Sequence, residues 1–174
     1  LLLIDTDAFC KLGACNILED VIAGLGFSWG ECRCLPALPH MLRKGRLRKK
    51  YGGELCDALH PISEGMLPLE NPSSQWAQPL TPYQSIDSGE AQLFAWAAEC
   101  GHYVLTGDKR ALQGLKDVNE IRDYLSGKIV VFEVALVKMV EVLGPEETKR
   151  RIHPVRDVDN VLKICFSESV GDPK

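Results

Sequence analysis

The sequence predicts an α/β fold in which a parallel sheet is covered by helices. Three observations predict it. Short apolar runs open three separate segments, "LLLI" at 1–4, "HYVLTGD" at 102–108 and "KIVVF" at 128–132. Each run leads into a stretch whose apolar residues recur at helical spacing. Strands alternating with helices are joined by crossovers, and crossovers make parallel pairs. With 174 residues the chain can bury one core and is read as a single domain over 1–174.

Residues 1–4 form a short buried strand. "DAFCKLGACNILEDVIAGLG" at 7–26 reads as one helix, with Phe9, Leu12, Ile17, Val21 and Ile22 toward the core and Gly24 and Gly26 ending it. "CRCLPAL" at 32–38 is a second strand, weakened by Pro36. "PHMLRKGRLRKKYGG" at 39–53 is a basic helix, with Pro39 in its first turn and a glycine pair past its end. Residues 61–85 carry five prolines and little periodicity, and read as a long connection. "IDSGEAQLFAWAAECG" at 86–101 is a helix that places Ala91, Phe94, Ala95 and Ala98 on one face and stops at Gly101. "LKDVNEIRDYLSG" at 115–127 is helical, "KIVVFEVALVKMVEVLG" at 128–144 is a strand turning into a helix, and "PVRDVDNVLKICFSES" at 154–169 is a closing amphipathic helix.

The net charge of −4 supplies no global basic field for nucleic acid, so any such case rests on local patches. No apolar run approaches the roughly 18 residues of a bilayer span, and "LLLI" is too short for a signal-peptide core. No membrane partner is expected. The seven cysteines (Cys10, Cys15, Cys32, Cys34, Cys56, Cys100 and Cys165) form no CxxC, and most lie in apolar segments. They read as reduced core thiols in a cytoplasmic protein, with a zinc site on Cys32 and Cys34 as the alternative.

The chemistry concentrates in carboxylates at segment ends. Asp5 follows the first strand, Asp108 follows "YVLTG", and Asp87 and Glu90 open the helix leading into that later strand. In parallel sheets ligands bind beyond the carboxyl ends of the strands, so three segments bring acids to one edge. Each acid also has a capping explanation: Asp5 or Asp7 and Asp108 as N-caps, Asp87 with Glu90 as a capping box. Carboxylates ~5 Å apart repel by roughly 3 kcal/mol per pair at an effective dielectric near 20. A divalent cation removes that cost, and an all-oxygen set suits Mg²⁺ or Mn²⁺. Such an ion polarises a phosphate and activates water without Ser, His or Cys.

"LLLIDTDAF", "DSGEAQLFAWAAECG" and "YVLTGDKRAL", in that order, resemble the PIN-domain family of metal-dependent ribonucleases. The likeness covers about residues 1–133, is densest from Ile86 to Leu112, and leaves 134–174 as a C-terminal helical extension. It implies a three-layer α/β/α sandwich and a pocket for one or two Mg²⁺ or Mn²⁺ ions that hydrolyses RNA phosphodiesters. It implies Asp5, Glu90 and Asp108 as catalytic ligands, with Asp87 as a further metal ligand. The family's usual acid on the helix after the second strand has no counterpart: "LPALPHMLRKG" offers only His40, and Glu31 and Glu54 are poorly placed. Many small members are toxins, which adds an antitoxin-like protein and a homodimer to the expected partners.

In "RKGRLRKK" the residues Arg43, Lys44, Arg46, Arg48, Lys49 and Lys50 are cationic, a solvated face or an RNA phosphate patch. Lys109 and Arg110 follow Asp108 directly, and Lys109 is a further candidate phosphate contact. Two rival readings stay open. One is a haloacid-dehalogenase-like phosphatase using Asp5 and Asp7, although Phe9 stands where that class has Thr. The other is a degenerate PIN-like module that binds RNA or protein without cutting.

Overall fold

The structure, a computed structural model, describes residues 1–158 and 160–166. Five strands pair throughout in parallel: β1 (Leu2–Ile4), β2 (Cys32–Cys34), β3 (Leu67–Pro68), β4 (Tyr103–Thr106) and β5 (Ile129–Val131), in the order β3-β2-β1-β4-β5. Leu2 stands opposite Cys32 on one side and Tyr103 on the other, so β1 is the central strand.

The pleat divides the core. Leu2, Ile4, Cys32, Cys34 and Leu105 turn to one face, while Leu3 and Val104 turn to the other. The first face is covered by α1 (Thr6–Ala14), α2 (Leu18–Gly24), α3 (Leu38–Arg43), α4 (Arg46–Tyr51), α5 (Gly53–Glu64) and α10 (Phe132–Leu143). The second is covered by α7 (Ser88–Cys100), α8 (Lys109–Leu115) and α9 (Asn119–Leu125), with α6 (Ser74–Ala77) packed alongside. With apolar helices on both faces, the chain is a three-layer α/β/α sandwich. Strands buried on both sides need continuous apolar runs, which is why "LLLI" and "YVLT" do not alternate with polar residues.

The segment at 7–26 is two helices rather than one. Asn16, at φ 54, breaks it between α1 and α2. The basic segment likewise divides at Lys44–Gly45, where Gly45 takes φ 99, a conformation that favours glycine. Residues 61–64 belong to α5, which admits Pro61 near its end, and Pro68 lies in the two-residue edge strand β3. A short α8 precedes the helix expected at 115–127.

α10 inserts Phe132, Ala135, Leu136 and Met139 into the first-face core, so the chain beyond residue 133 is packed onto the sheet there. α11 (Pro145–Ile152) and α12 (Asn160–Cys165) follow, and the expected helix at 154–169 extends past the described residues. Cys10, Cys15, Cys32, Cys34 and Cys56 are buried and free, whereas Cys100 is exposed. The side chain of Cys165 lies outside the described residues. No helix among the described residues is long and apolar enough to cross a membrane.

Strand order fixes where a ligand can enter. From β1 the chain steps outward to β2 and β3, then returns across the sheet to lay β4 on the other side of β1. The crossovers leaving β1 and β4 go to opposite faces, and a crevice opens beyond their carboxyl ends.

Candidate active site

A cleft of about 520 Å³ occupies that crevice, within the range of small-ligand sites. Asp5, immediately after β1, and Asp108, two residues after β4, reach it from neighbouring strands, and α7 brings Asp87 and Glu90. All four sequence-predicted acids therefore line one cleft. Leu35, Met41 and Leu47 form an apolar wall, and Arg46 and Lys50 of α4 add positive charge.

The capping and clustering readings hold together for three of the acids. Asp87 Oδ1 accepts from the Gly89 and Glu90 amides, and Glu90 Oε2 accepts from the Asp87 amide at 2.7 Å, completing a capping box. Asp108 Oδ1 accepts from the Arg110 and Ala111 amides at the start of α8. Asp5 differs: it sits at the N-cap position of α1, but its side chain makes no cap hydrogen bond.

Electrostatics mark the same group. Asp5 is 8 % exposed; burial, then the charges of Asp7, Asp87 and Asp108, push its pKa up to about 6 against a helping Thr6 backbone hydrogen bond. Glu90 is 6 % exposed, and burial, a hydrogen bond to Asp108 and the charges of Asp87 and Asp108 push it up to about 8. Asp108 falls below its ordinary value: burial opposes ionisation, but the Ala111 and Arg110 amides and the Glu90 hydrogen bond outweigh it. The opposed shifts favour a protonated Glu90 beside an ionised Asp108. Opposed raised and lowered carboxyls in one cleft are a functional-site signature.

Asp7 lies at the cleft's edge with its charge already answered. Its Oδ1 accepts from Lys50 Nζ at 2.6 Å and Tyr51 Oη at 2.7 Å, and Lys11 Nζ meets Oδ2 at 2.6 Å. Burial opposes its ionisation, yet these three partners hold its pKa below the ordinary value.

The basic candidates separate. Arg46 and Lys50 line the cleft. Arg43 pairs with Glu64 at 3.1 Å at the exposed surface, and half-buried Arg48 pairs with exposed Asp57. Lys44 and Lys49 are exposed and do not line the cleft. Lys109 is tied to Glu133 at 2.7 Å. His40 and Glu54 are exposed outside the cleft lining, and Glu31 is occupied by a capping box with Ser28, so none supplies the further acid.

Thr6, Ser88 and Gln92 also line the cleft, and sequence reasoning missed them. Thr6 was within reach, being the residue after Asp5. Its Oγ1 is buried without a hydrogen-bond partner, a polar atom in search of a ligand.

Among the described residues no three His, Cys, Asp or Glu side chains form a ready chelating group; as placed, Asp87 and Asp108 serve helix amides. The donor chemistry nevertheless fits a hard cation. It is oxygen only, it sets Asp5 and Glu90, raised first by burial and then by neighbouring carboxylates, in one cleft, and it includes the orphaned Thr6 hydroxyl. No family model, curated protein or solved structure matches the chain significantly.

Proposed function

We propose that the chain is a PIN-like, Mg²⁺- or Mn²⁺-dependent endoribonuclease whose reaction takes place in the acidic cleft. One observation carries the reading: Asp5, Asp87, Glu90 and Asp108, from three separate segments, line a single cleft at the switch point between β1 and β4. Asp5, Glu90 and Asp108, assisted by Asp87, would hold the ion, which when bound supplies Lewis acidity toward a phosphate and lowers the pKa of water.

The chain's own residues do the rest. Burial of Asp5 and Glu90 beneath the surface keeps bulk water from screening their charge. Glu90, whose carboxyl burial keeps protonated more readily than an ordinary one, would have to give up its proton to act as a ligand. Arg46 and Lys50, which line the same cleft, draw in the phosphate backbone, an attraction that an acidic protein must supply locally. The apolar wall of Leu35, Met41 and Leu47 gives an unstacked base a surface to rest on. Asp7 is committed to Lys11, Lys50 and Tyr51, which disfavours a phosphatase that would need it as a free acid.

The deciding experiment is calorimetric titration of Mn²⁺ into the parent and Asp108→Asn, followed by an RNA-cleavage assay with both. Binding and cleavage by the parent, both lost in the variant, support the reading. A parent that binds neither Mn²⁺ nor RNA overturns it, and one that binds RNA without cutting it establishes the degenerate module instead.

A further inference from the structure

The cluster around Asp7 joins two helices that lie far apart in the sequence. Lys11 belongs to α1, is buried and lies 5.1 Å from the centre of the Phe132 ring. Lys50 and Tyr51 are the last two residues of α4, 43 and 44 positions from Asp7. α4 is bracketed by Gly45 at φ 99 and Gly52 at φ 87. A Cβ at either glycine would meet nothing within 4 Å, so backbone conformation, not space, requires glycine there. A six-residue helix between two such joints is held in place by what its side chains grip. Leu47 and Tyr51 are buried, and Arg46 and Lys50 line the cleft.

We propose that Asp7 is a positioning residue: through Tyr51 and Lys50 it latches α4 against α1, so that Arg46 and Lys50 face the phosphates of a strand entering the cleft. The inference rests on the RNA reading above. It gives Asp7 a task separate from the acids, since its carboxylate is taken up by Lys11, Lys50 and Tyr51. Simple charge pairing makes the opposite forecast. Removing the Asp7 charge would then strengthen attraction to an anionic strand, and removing the neutral Tyr51 hydroxyl would change nothing.

Tyr51→Phe separates the two, because it deletes one latch bond and no charge. Asp7→Asn is the second variant, with the volume kept. Hydrogen exchange of the α4 amides and steady-state cleavage of a fluorescein-labelled oligouridine in Mn²⁺ are measured for both. A hydrogen bond to a charged group predicts α4 exchange faster by about tenfold in each variant. The KM should rise by a comparable factor while kcat stays within about twofold. Unchanged exchange overturns the latch, and faster exchange with unchanged KM overturns its role in placing Arg46 and Lys50; both leave the ribonuclease reading intact. A parent that cuts neither this oligouridine nor any RNA in the cleavage assay above overturns that reading, and the substrate role of the latch with it.

Discussion

Glu90 hydrogen-bonds Asp108 although each also caps a helix: Glu90 reaches back to the Asp87 amide, and Asp108 holds the first amides of α8. The pair sets two oppositely shifted carboxyls at the starts of α7 and α8. Capping thus fixes where the acids stand, and their contact decides which is ionised.

Asp5 and Glu90 make the ion-free protein less stable as pH rises. The folded-state pKa of Asp5 is about 6 against an ordinary 3.8, and that of Glu90 about 8 against 4.5. The native state holds protons that the unfolded chain releases, so this stability is complete below about pH 4 and is lost by about pH 8. Asp5→Asn, which mimics the protonated acid, should gain about 3 kcal/mol at pH 8 over the parent. Thermal melts in EDTA at pH 5 and pH 8 check this; equal pH slopes in parent and variant would contradict it.

Glu90→Gln and Glu90→Ala separate structure from chemistry. Gln can still accept from the Asp87 amide, so the variant should fold at least as stably as the parent while losing Mn²⁺ binding. Ala leaves that amide without its side-chain partner and should melt lower by an amount worth ~1 kcal/mol. The comparison needs only melting curves and one titration.

Asp87 is exposed at the cleft rim, and its cap is its clearest bond. Asp87→Ala should cost ~1 kcal/mol, or roughly 2–4 °C in Tm. If Asp87 is a ligand as well, Asp87→Ser, which restores an N-cap, recovers the Tm without recovering cleavage.

Gly114 faces Ser85 and Ile86, just before Asp87, and an added Cβ would collide with the Ser85 side chain. Gly114→Ala makes the Ser85 hydroxyl turn and presses on Ile86, so it should cost no more than about 1 kcal/mol and push the approach to Asp87 away from α8. Because α8 begins after Asp108, the same substitution should weaken Mn²⁺ binding, which calorimetry reads directly.

Salt dependence distinguishes the cations. Arg46→Ala should lower the magnitude of the slope of log K for RNA against log salt by about 1. Lys109→Ala should leave it nearly unchanged, since Lys109 already pairs with Glu133. Equal slopes for the two variants would remove Arg46 from the interface.

The sequence carried the parallel sheet because strands buried on both faces must be apolar throughout, and "LLLI" and "YVLT" have little other use. It carried the position of Asp5, Glu90 and Asp108 because acids at strand ends and helix starts can be placed by local pattern. Asn16 hid the break between α1 and α2, since a positive φ at Asn leaves no mark in hydrophobic spacing. Pro61 made the end of α5 look like loop, although it sits inside the helix. The bonds of Asp7 to Lys50 and Tyr51 span 43 and 44 residues, and no local rule reaches that far. The same limit made six cations look like one patch, when Gly45 turns only part of them to the cleft.

The sheet order also sets a timetable. β1 and β4 are neighbours in space but about a hundred residues apart in the chain, and pairings of such separation close slowly. Pairing β1 with β2 closes a loop of about 30 residues and pairing it with β4 one of about a hundred, so the meeting of Asp5 and Asp108 carries the larger closure entropy. Their repulsion arises only when the sheet is complete. Any cation these acids capture therefore favours the finished protein over half-assembled forms, and acts as a lock on the last step of folding.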